Sequence, residues 1–256
     1  MIRSLKSLPN ATVFLSVPDD AVSTIAGRLA EADTGIPGTV AFVHLSGALQ
    51  LNALEPLRAR HSIGSFHPLQ SFPEPRPPSS LNGIVVAVDA STTALRRRLA
   101  GLARALGAKS KRVDDSQRAL YHAAAVFASN YVDASVGQAV ALLQISGWSE
   151  KEATSGLLPL AEGALANVRR RGPVGALTGP VRRGDVKTVE RHLAALAELE
   201  RPARSPRGTP FVDQYRMLGL IALEIAVEAG LEPATTERMH RALTQKVAAT
   251  RRRRRP

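Results

Sequence analysis

The first half of the chain alternates short apolar runs with amphipathic stretches. The apolar runs are rich in β-branched residues and predict buried strands at residues 11–17, 39–45, 62–66 and 84–88. Apolar positions at helical spacing predict intervening helices over about 19–30, 53–59 and 91–106. Asp19 and Ser91 are expected to cap two of these helices, and Gly107 is expected to end the last one. Strands that alternate with helices predict a parallel α/β sheet.

After Val113 the apolar spacing is helical only. It predicts one long helix over about 116–145, a further helix that begins after Ser149, and helices over about 185–199, 210–230 and 235–249. Ser149 and Glu152 predict a capping box, and Gly156 and Pro159 are expected to divide the helix that follows. The interpretation is an α/β domain at residues 1–113, an all-helical domain at 114–249 and a disordered basic tail at 250–256. Residues 201–209 are expected to form a mobile loop.

Composition limits the classes of function. The 256 residues are 44% hydrophobic, yet they contain no apolar run of the roughly 20 residues that a spanning helix needs. The first residues lack the apolar region of a secretory signal, so we expect a cytoplasmic protein without a membrane partner. Cysteine is absent, which excludes thiol nucleophiles and disulfides. The six histidines show no metal-site spacing, and we expect no metal.

A net charge of +12 raises the possibility of nucleic-acid binding. Five of those charges come from residues 251–255, where a run of like charge is typical of a solvated end. Only 4% of residues are aromatic, and no stacking platform for single strands is visible. We expect no specific nucleic-acid partner. A basic nucleic-acid-associated protein stays an alternative, which predicts salt-dependent binding that is lost on deleting residues 251–255.

Three segments carry a family resemblance: Ile63-Gly-Ser-Phe-His-Pro-Leu-Gln-Ser-Phe72, Tyr121-His-Ala-Ala-Ala-Val-Phe-Ala-Ser-Asn130 and Ala176-Leu-Thr-Gly-Pro-Val-Arg-Arg-Gly-Asp185. Together they resemble a family of Rossmann-type oxidoreductases whose C-terminal half is a helical domain of unknown function. Relatives of that family are deazaflavin-dependent NADP oxidoreductases, pyrroline-5-carboxylate reductases and prephenate dehydrogenases. The resemblance implies NADP or NAD as cofactor, a small-molecule substrate and a homodimer formed through the helical domain. Deazaflavin use stays open.

The glycine-rich turn of dinucleotide-binding domains, G-x-G-x-x-G, does not occur in this sequence. In the family, the segment at residues 15–20 resembles the fourth strand and the turn after it, so the chain is expected to begin in the middle of the fold. At roughly 30 residues for each strand-helix-strand unit, about 60 residues would precede it. The fold class expected here is therefore a partial Rossmann-type parallel sheet without its first strands, followed by a helical bundle. The residue that distinguishes NAD from NADP would lie in the missing part.

Ligands of open α/β sheets bind beyond the carboxyl ends of the strands. On the cofactor side, the resemblance implies Val17, Pro18, Asp19, His44, Ser46 and Gly47. Each also has a purely structural interpretation, because a proline ends strands, an aspartate caps helices and a serine hydroxyl bonds backbone in turns.

His67 and Pro68 resemble the His-Pro turn of prephenate dehydrogenases, in which the histidine contacts the reacting hydroxyl. With an ordinary pKa near neutrality, His67 could take or return the proton that accompanies hydride transfer. His122 and Asn130 are eight residues apart and would share one face of the long helix, so both are further catalytic candidates. Gln70 is a substrate-binding candidate. Thr178 and Arg183 are two more, because their loop enters a helix and could hold an anion, and an arginine matches a carboxylate in bidentate fashion. Hydrogen bonds within the core or within a capped turn are the structural alternatives.

The function that the sequence favours is NAD(P)-dependent oxidation or reduction of a small substrate. A noncatalytic ligand-binding or interaction protein built on the same fold is the main alternative. Quenching of NAD(P)H fluorescence would separate the two.

Overall fold

The computed structural model describes residues 9–32, 36–37, 39–200 and 210–245. The predicted mobile loop at 201–209 and the predicted basic tail lie outside these described residues. The chain forms two compact units, residues 1–133 and residues 134–256. The domain limits expected from the sequence stay predictions.

The first unit contains a five-stranded sheet in the order β1-β2-β3-β4-β5. Its elements are β1 (Thr12–Leu15), helix α1 (Asp19–Glu31), β2 (Ala41–His44), β3 (Ser62–Pro68), β4 (Val85–Ala90), helix α2 (Thr93–Ala105) and β5 (Lys109–Arg112). Short 3-10 helices lie at Leu51–Leu57, Pro78–Leu81 and Asp115–Gln117. The predicted α/β class, a mostly parallel Rossmann-type sheet followed by helices, is confirmed.

The parallel arrangement is interrupted between β3 and β4, which pair antiparallel, whereas β1–β2, β2–β3 and β4–β5 pair parallel. The expectation of a wholly parallel sheet was therefore wrong at this pair. The connection between β3 and β4 is rich in proline and contains only the 3-10 turn Pro78–Leu81. A parallel return needs a crossover long enough to span the sheet, usually a helix, and this connection has none.

Strand β5 was missed by the sequence interpretation. Its residues Lys-Ser-Lys-Arg are mostly exposed and lie at the edge of the sheet. Charged residues are common on edge strands because they discourage pairing with other chains, and they also remove the apolar signal of a strand.

Two apolar layers cover the two faces of the sheet. Phe42 packs with α1 and the 3-10 helix Leu51–Leu57 on one face, while its neighbours Ala41 and Val43 pack with α2 on the other. Successive strand residues point to opposite faces, so a strand buried on both sides must be apolar at every position. This is why residues 41–43 read as a continuous apolar run.

Two helix starts differ in detail from the prediction. Thr92, rather than Ser91, caps α2 by accepting a hydrogen bond from the Leu95 amide at 3.3 Å. The Ser91 hydroxyl instead accepts from the amide of Ile63 at 3.0 Å. Asp19 lies in the first turn of α1 and makes no capping bond there. Gly107 ends α2 in a left-handed conformation with φ of 76°, as expected.

The predicted long helix is two helices, α3 (Arg118–Ala128) and α4 (Asn130–Ile145). Ser129 lies between them with φ of −127° and ψ of −81°, far from helical values. The prediction of one helix over 116–145 was wrong because a serine in an alanine-rich sequence gives no clear stop signal. The boundary between the two compact units falls within α4.

The remaining described helices are α5 (Glu150–Ala176), α6 (Gly179–Arg182), α7 (Val186–Leu199), α8 (Phe211–Glu228) and α9 (Pro233–Thr244). The capping box of Ser149 with Glu152 and the cap of α7 by Asp185 are both present. Helix α5 is interrupted at Gly172, where φ is 69°, and not at Gly156 or Pro159 as predicted. Glycine takes this conformation without strain, and Pro173 follows it directly.

The core of the second unit lies between α7, α8 and α9. Leu193, Leu223 and Met239 are buried at its centre. A Cβ on Gly219 of α8 would lie 2.6 Å from the Leu243 side chain of α9, so the absence of a side chain lets these helices approach closely.

Candidate functional site

The carboxyl ends of β1, β2 and β3 meet at one edge of the sheet, because these strands are parallel and in register. Leu15 pairs with His44, and His44 pairs with Ser65. The start of α1 and the loop that follows β2 are joined by a hydrogen bond of 2.6 Å, in which the Ser46 hydroxyl donates to an Asp19 carboxylate oxygen. The same Ser46 oxygen accepts from the amides of Ala48 and Leu49, which fixes the turn after β2.

Arg118, the first residue of α3, is completely buried beneath this edge. Its guanidinium donates to the Ser46 carbonyl at 3.2 Å and to the Ser65 hydroxyl. Its Nε lies 3.8 Å from an Asp115 carboxylate oxygen, which also accepts from the amide of Leu51 at 2.7 Å. One side chain therefore ties the loop after β2, the middle of β3 and the start of α3 together.

His67 lies at the end of β3 and faces the first turn of α3. Its Nδ1 is 2.8 Å from the hydroxyl oxygen of Tyr121. The two rings are nearly perpendicular, with centroids 5.6 Å apart, and the His122 ring lies 6.3 Å from that of His67. The site therefore contains two histidines and a tyrosine side by side.

Gly47 allows this close arrangement. It is buried, and a Cβ at this position would lie 2.8 Å from Cε1 and Nε2 of His67 and from Cδ2 of His122. No other residue type leaves room for both imidazoles against the loop after β2.

A cavity of about 440 Å³ opens beside these rings. Its polar lining comes from His67, Gln70, Ser71, Tyr121, His122, Ser129 and Asn130, and its apolar lining comes from Leu69, Val126 and the alanines of α3. The volume suits a small metabolite. The alanine-rich sequence of α3 has a local reason here, because small side chains leave the cavity open.

The electrostatics of the site favour an uncharged imidazole at His67 and at His44. Burial, followed by the charges of His122 and Arg118, lowers the pKa of His67 from 6.5 to about 4, against an opposing effect of Asp19. Burial, Arg118 and His67 lower the pKa of His44 to about 4, although Asp19 and the Gln50 backbone act in the other direction. Burial also lowers the pKa of Arg118 and raises that of Tyr121.

Most of the residues proposed from the sequence come together in the first unit. Asp19, His44, Ser46 and Gly47 meet His67 at the carboxyl edge, with Val17 and Pro18 in the turn before α1. His122, Gln70 and Asn130 line the cavity. Asn130 begins α4 instead of continuing the helix of His122, so the helix-face argument for this pair was wrong even though both line the cavity.

Thr178 and Arg183 belong to the second unit. They line a cavity of about 590 Å³ there, together with Arg182, Leu231 and Glu232. Arg182 donates to the Ala229 carbonyl at 3.1 Å, while Arg183 is exposed.

The sequence interpretation missed Arg118, Ser65 and the role of Tyr121. An isolated arginine at the start of an alanine-rich helix gave one usable signal, because α3 has no other charged residue. Ser65 gave none, since a small residue within a buried strand is common.

The described residues contain no group of three or more histidine, aspartate or glutamate side chains placed to hold a metal ion. None of the described helices is both long and apolar enough to cross a membrane.

The fold and site define a Rossmann-type α/β unit with a following helical unit. The model of one family, a domain of unknown function designated DUF2520, matches residues 84–220, which is more than half of the chain. The chain belongs to this family, and the resemblance drawn from the sequence is confirmed.

Solved structures show the same architecture. A protein of Bacteroides fragilis that is provisionally named an NADP oxidoreductase is 25% identical, with a TM-score of 0.64, over 87% of this chain and 78% of that one. A Thermotoga maritima protein is 24% identical, with a TM-score of 0.65, and the match covers 86% of this chain and 79% of that one.

The Plasmodium falciparum pyrroline carboxylate reductase, solved with NADP bound, is 11% identical, with a TM-score of 0.50. The match covers 93% of this chain and 80% of that one. The Thermotoga and Plasmodium similarities support the fold alone. No curated protein matches the chain significantly.

Replacing Gly47 with alanine tests the packing of the two imidazoles. The new Cβ would lie 2.8 Å from both rings, so we expect the rings to be displaced. The free energy of unfolding should decrease by about 1–3 kcal/mol. NMR signals of the His67 and His122 rings, together with urea unfolding, measure both effects. Gly27→Ala in α1 is the matched control, since its Cβ meets nothing within 4 Å. Unchanged ring signals in Gly47→Ala would contradict the packing described here.

The lowered pKa values of His44 and His67 predict a dependence of stability on pH. Between pH 6.5 and about 4 the unfolded chain binds more protons at these two histidines than the native chain does. The free energy of unfolding should therefore fall as pH decreases through this range. NMR titration of the His67 ring checks whether its pKa is lowered. A midpoint near 6.5 would contradict the placement of the His67 ring in a buried environment near His122, Arg118 and Asp19.

Proposed function

We propose that this chain acts as an NAD(P)-dependent oxidoreductase on a small substrate, with His67 as the residue that contacts the reacting group. The observation that carries this proposal is the position of His67. It lies at the carboxyl edge of the sheet, bonded to Tyr121, and lines the 440 Å³ cavity. This edge is where open α/β sheets bind their ligands.

The residues at this edge fit the nicotinamide end of a dinucleotide. The start of α1 and the turn after β2 are held together by the Asp19–Ser46 hydrogen bond, and the Gly47 backbone lies against the His67 ring. Val17, Pro18, His44 and Ser46 complete the proposed cofactor side. The sequence has no G-x-G-x-x-G turn, so we assign no residues to the pyrophosphate. When bound, the cofactor supplies or accepts a hydride.

The chain's own residues would then orient the substrate and handle its proton. His67 reaches the reacting oxygen or nitrogen, while His122, Gln70 and Asn130 line the space around it. In the second unit, Thr178 and Arg183 are proposed substrate-binding residues, because an exposed arginine can pair with a carboxylate. The name of the Bacteroides fragilis protein, at 25% identity, supports NADP chemistry over a noncatalytic role.

We also propose a homodimer formed through the helical unit. Helices α5 and α8 expose several large apolar side chains, among them Leu160, which is 70% exposed, and Met217, which is 62% exposed. Exposed apolar side chains in this number favour an interaction surface on these helices.

The His67→Ala variant tests the catalytic proposal. Once a substrate is found in a panel of small aldehydes, ketones and cyclic imines, its turnover should fall about 10²–10⁴-fold, as expected for a lost proton-transfer group. Binding of NADPH, measured by its fluorescence, should be unchanged. His192→Ala is the matched control, because His192 makes the same 2.8 Å contact with a tyrosine, Tyr215, outside this site.

Two results would contradict the proposal. If the wild-type chain binds neither NADPH nor NADH, the interaction protein becomes the better interpretation. If the His67→Ala variant keeps full turnover, the histidine does not contact the reacting group.

The dimer proposal is tested by sedimentation equilibrium. We expect twice the chain mass for the wild type and a shift toward the monomer for Met217→Glu, since a charge opposes burial of this helix face. Lys187→Glu, at an exposed polar position of α7, should leave the mass unchanged. A monomeric wild type would refute the proposal.

A further inference from the structure

We propose that Tyr121 donates its hydroxyl proton to Nδ1 of His67, so that Nε2 carries the proton that faces the substrate, and that the substrate is consequently a carbonyl compound rather than an iminium ion. The part that concerns the substrate rests on the function proposed above.

The contact between the two side chains defines the first step. The Tyr121 hydroxyl oxygen and His67 Nδ1 are 2.8 Å apart, a normal hydrogen-bond length. Either atom could donate. A phenol is a much better donor than a neutral imidazole N–H, and an imidazole nitrogen lone pair is a much better acceptor than a phenol oxygen. The favoured arrangement therefore places the proton on the tyrosine oxygen.

The environment keeps both groups in the required state. Burial raises the pKa of Tyr121, so its hydroxyl stays protonated at neutral pH. Burial and the neighbouring charges of His122 and Arg118 hold the pKa of His67 at about 4, so the imidazole is uncharged and has one proton. With Nδ1 accepting from Tyr121, that proton lies on Nε2.

The geometry also shows where Nε2 points. A Cβ on Gly47 would lie 2.8 Å from both Nε2 and Cε1, so this edge of the ring faces the loop after β2, beside Cδ2 of His122. Nδ1 is bonded to Tyr121 and the His67 side chain lines the cavity, so Nε2 is the ring nitrogen left to meet a ligand atom that accepts.

A carbonyl oxygen matches this donor. When the hydride adds to the carbonyl carbon, the C=O π bond breaks and its electrons go to the oxygen. The Nε2 proton passes to that oxygen while the Tyr121 proton passes to Nδ1, which leaves His67 neutral and Tyr121 as a phenolate. The transfer is downhill because an alkoxide is a stronger base than a phenolate. Water then returns a proton to Nε2 while Nδ1 gives its proton back to Tyr121, which restores the starting tautomer.

An iminium ion does not match. Its N–H would face the Nε2–H donor, so neither group could accept. It would also bring a positive charge toward Arg118, whose guanidinium is completely buried beneath the site. Asp19, the nearby carboxylate, acts in the opposite direction, but its effect on the His67 pKa is smaller than that of His122 or Arg118. The Nε2–H donor and the positive charge of Arg118 stabilise the negative charge that develops on a carbonyl oxygen.

The tautomer can be read by ¹⁵N NMR of the histidine rings in the full chain without cofactor. We expect a protonated Nε2 and an unprotonated Nδ1 for His67. Tyr121→Phe removes the donor and should shift the Nδ1 signal, whereas Tyr215→Phe should alter His192 and leave His67 unchanged. A His67 with its proton on Nδ1 in the wild type would overturn the proposal.

The substrate class is tested with NADPH and matched cyclic ketones and cyclic imines, at a pH below the pKa of the imine so that it is an iminium ion. We expect faster turnover of the ketone, and a loss of about 10²-fold or more in Tyr121→Phe. Preference for the iminium ion would overturn the assigned class. A failure to bind NADPH would contradict the proposed function and leave the tautomer measurement to decide the role of Tyr121 by itself.

Discussion

The buried guanidinium of Arg118 is the interaction on which the candidate site depends. It joins the Ser46 carbonyl, the Ser65 hydroxyl and, at a longer distance, the Asp115 carboxylate. A buried charge is costly unless its hydrogen bonds are made, so the loop after β2 and the start of α3 must lie where these acceptors are supplied. That constraint brings Tyr121 and His122, one turn further along α3, against His67. The same charge disfavours protonation of the nearby histidines.

The part of the fold that could be predicted is the part in which burial leaves a periodic pattern. Residues 41–43 are apolar on both faces of the sheet, and the strand was found. The β5 strand has exposed lysines, and Ser129 breaks a helix without glycine or proline, so neither gave a signal. The reversal of β4 depends on the length and proline content of a connection, and apolar periodicity contains no information on strand direction.

In the candidate site, too, some residues could be found from the sequence and others only from the structure. His67 was accessible to sequence reasoning because His67 and Pro68 resemble the His-Pro turn of prephenate dehydrogenases, and a histidine suits proton transfer near neutral pH. Arg118 had only the signal of an isolated charge, because its importance comes from total burial between segments more than fifty residues distant in sequence. The hydrogen bond between His67 and Tyr121 also spans 54 positions. Long-range contacts of this kind require the packed structure, since no local pattern indicates which side chains will meet.

The most direct test of the central claim is to map the backbone amide shifts of the full chain as NADP⁺ is added. If the carboxyl edge of the sheet holds the nicotinamide end, the largest changes should occur at Gly47, His67 and Tyr121. Changes confined to residues 134–245, or no changes at saturating NADP⁺, would contradict the assignment of this edge as an oxidoreductase site.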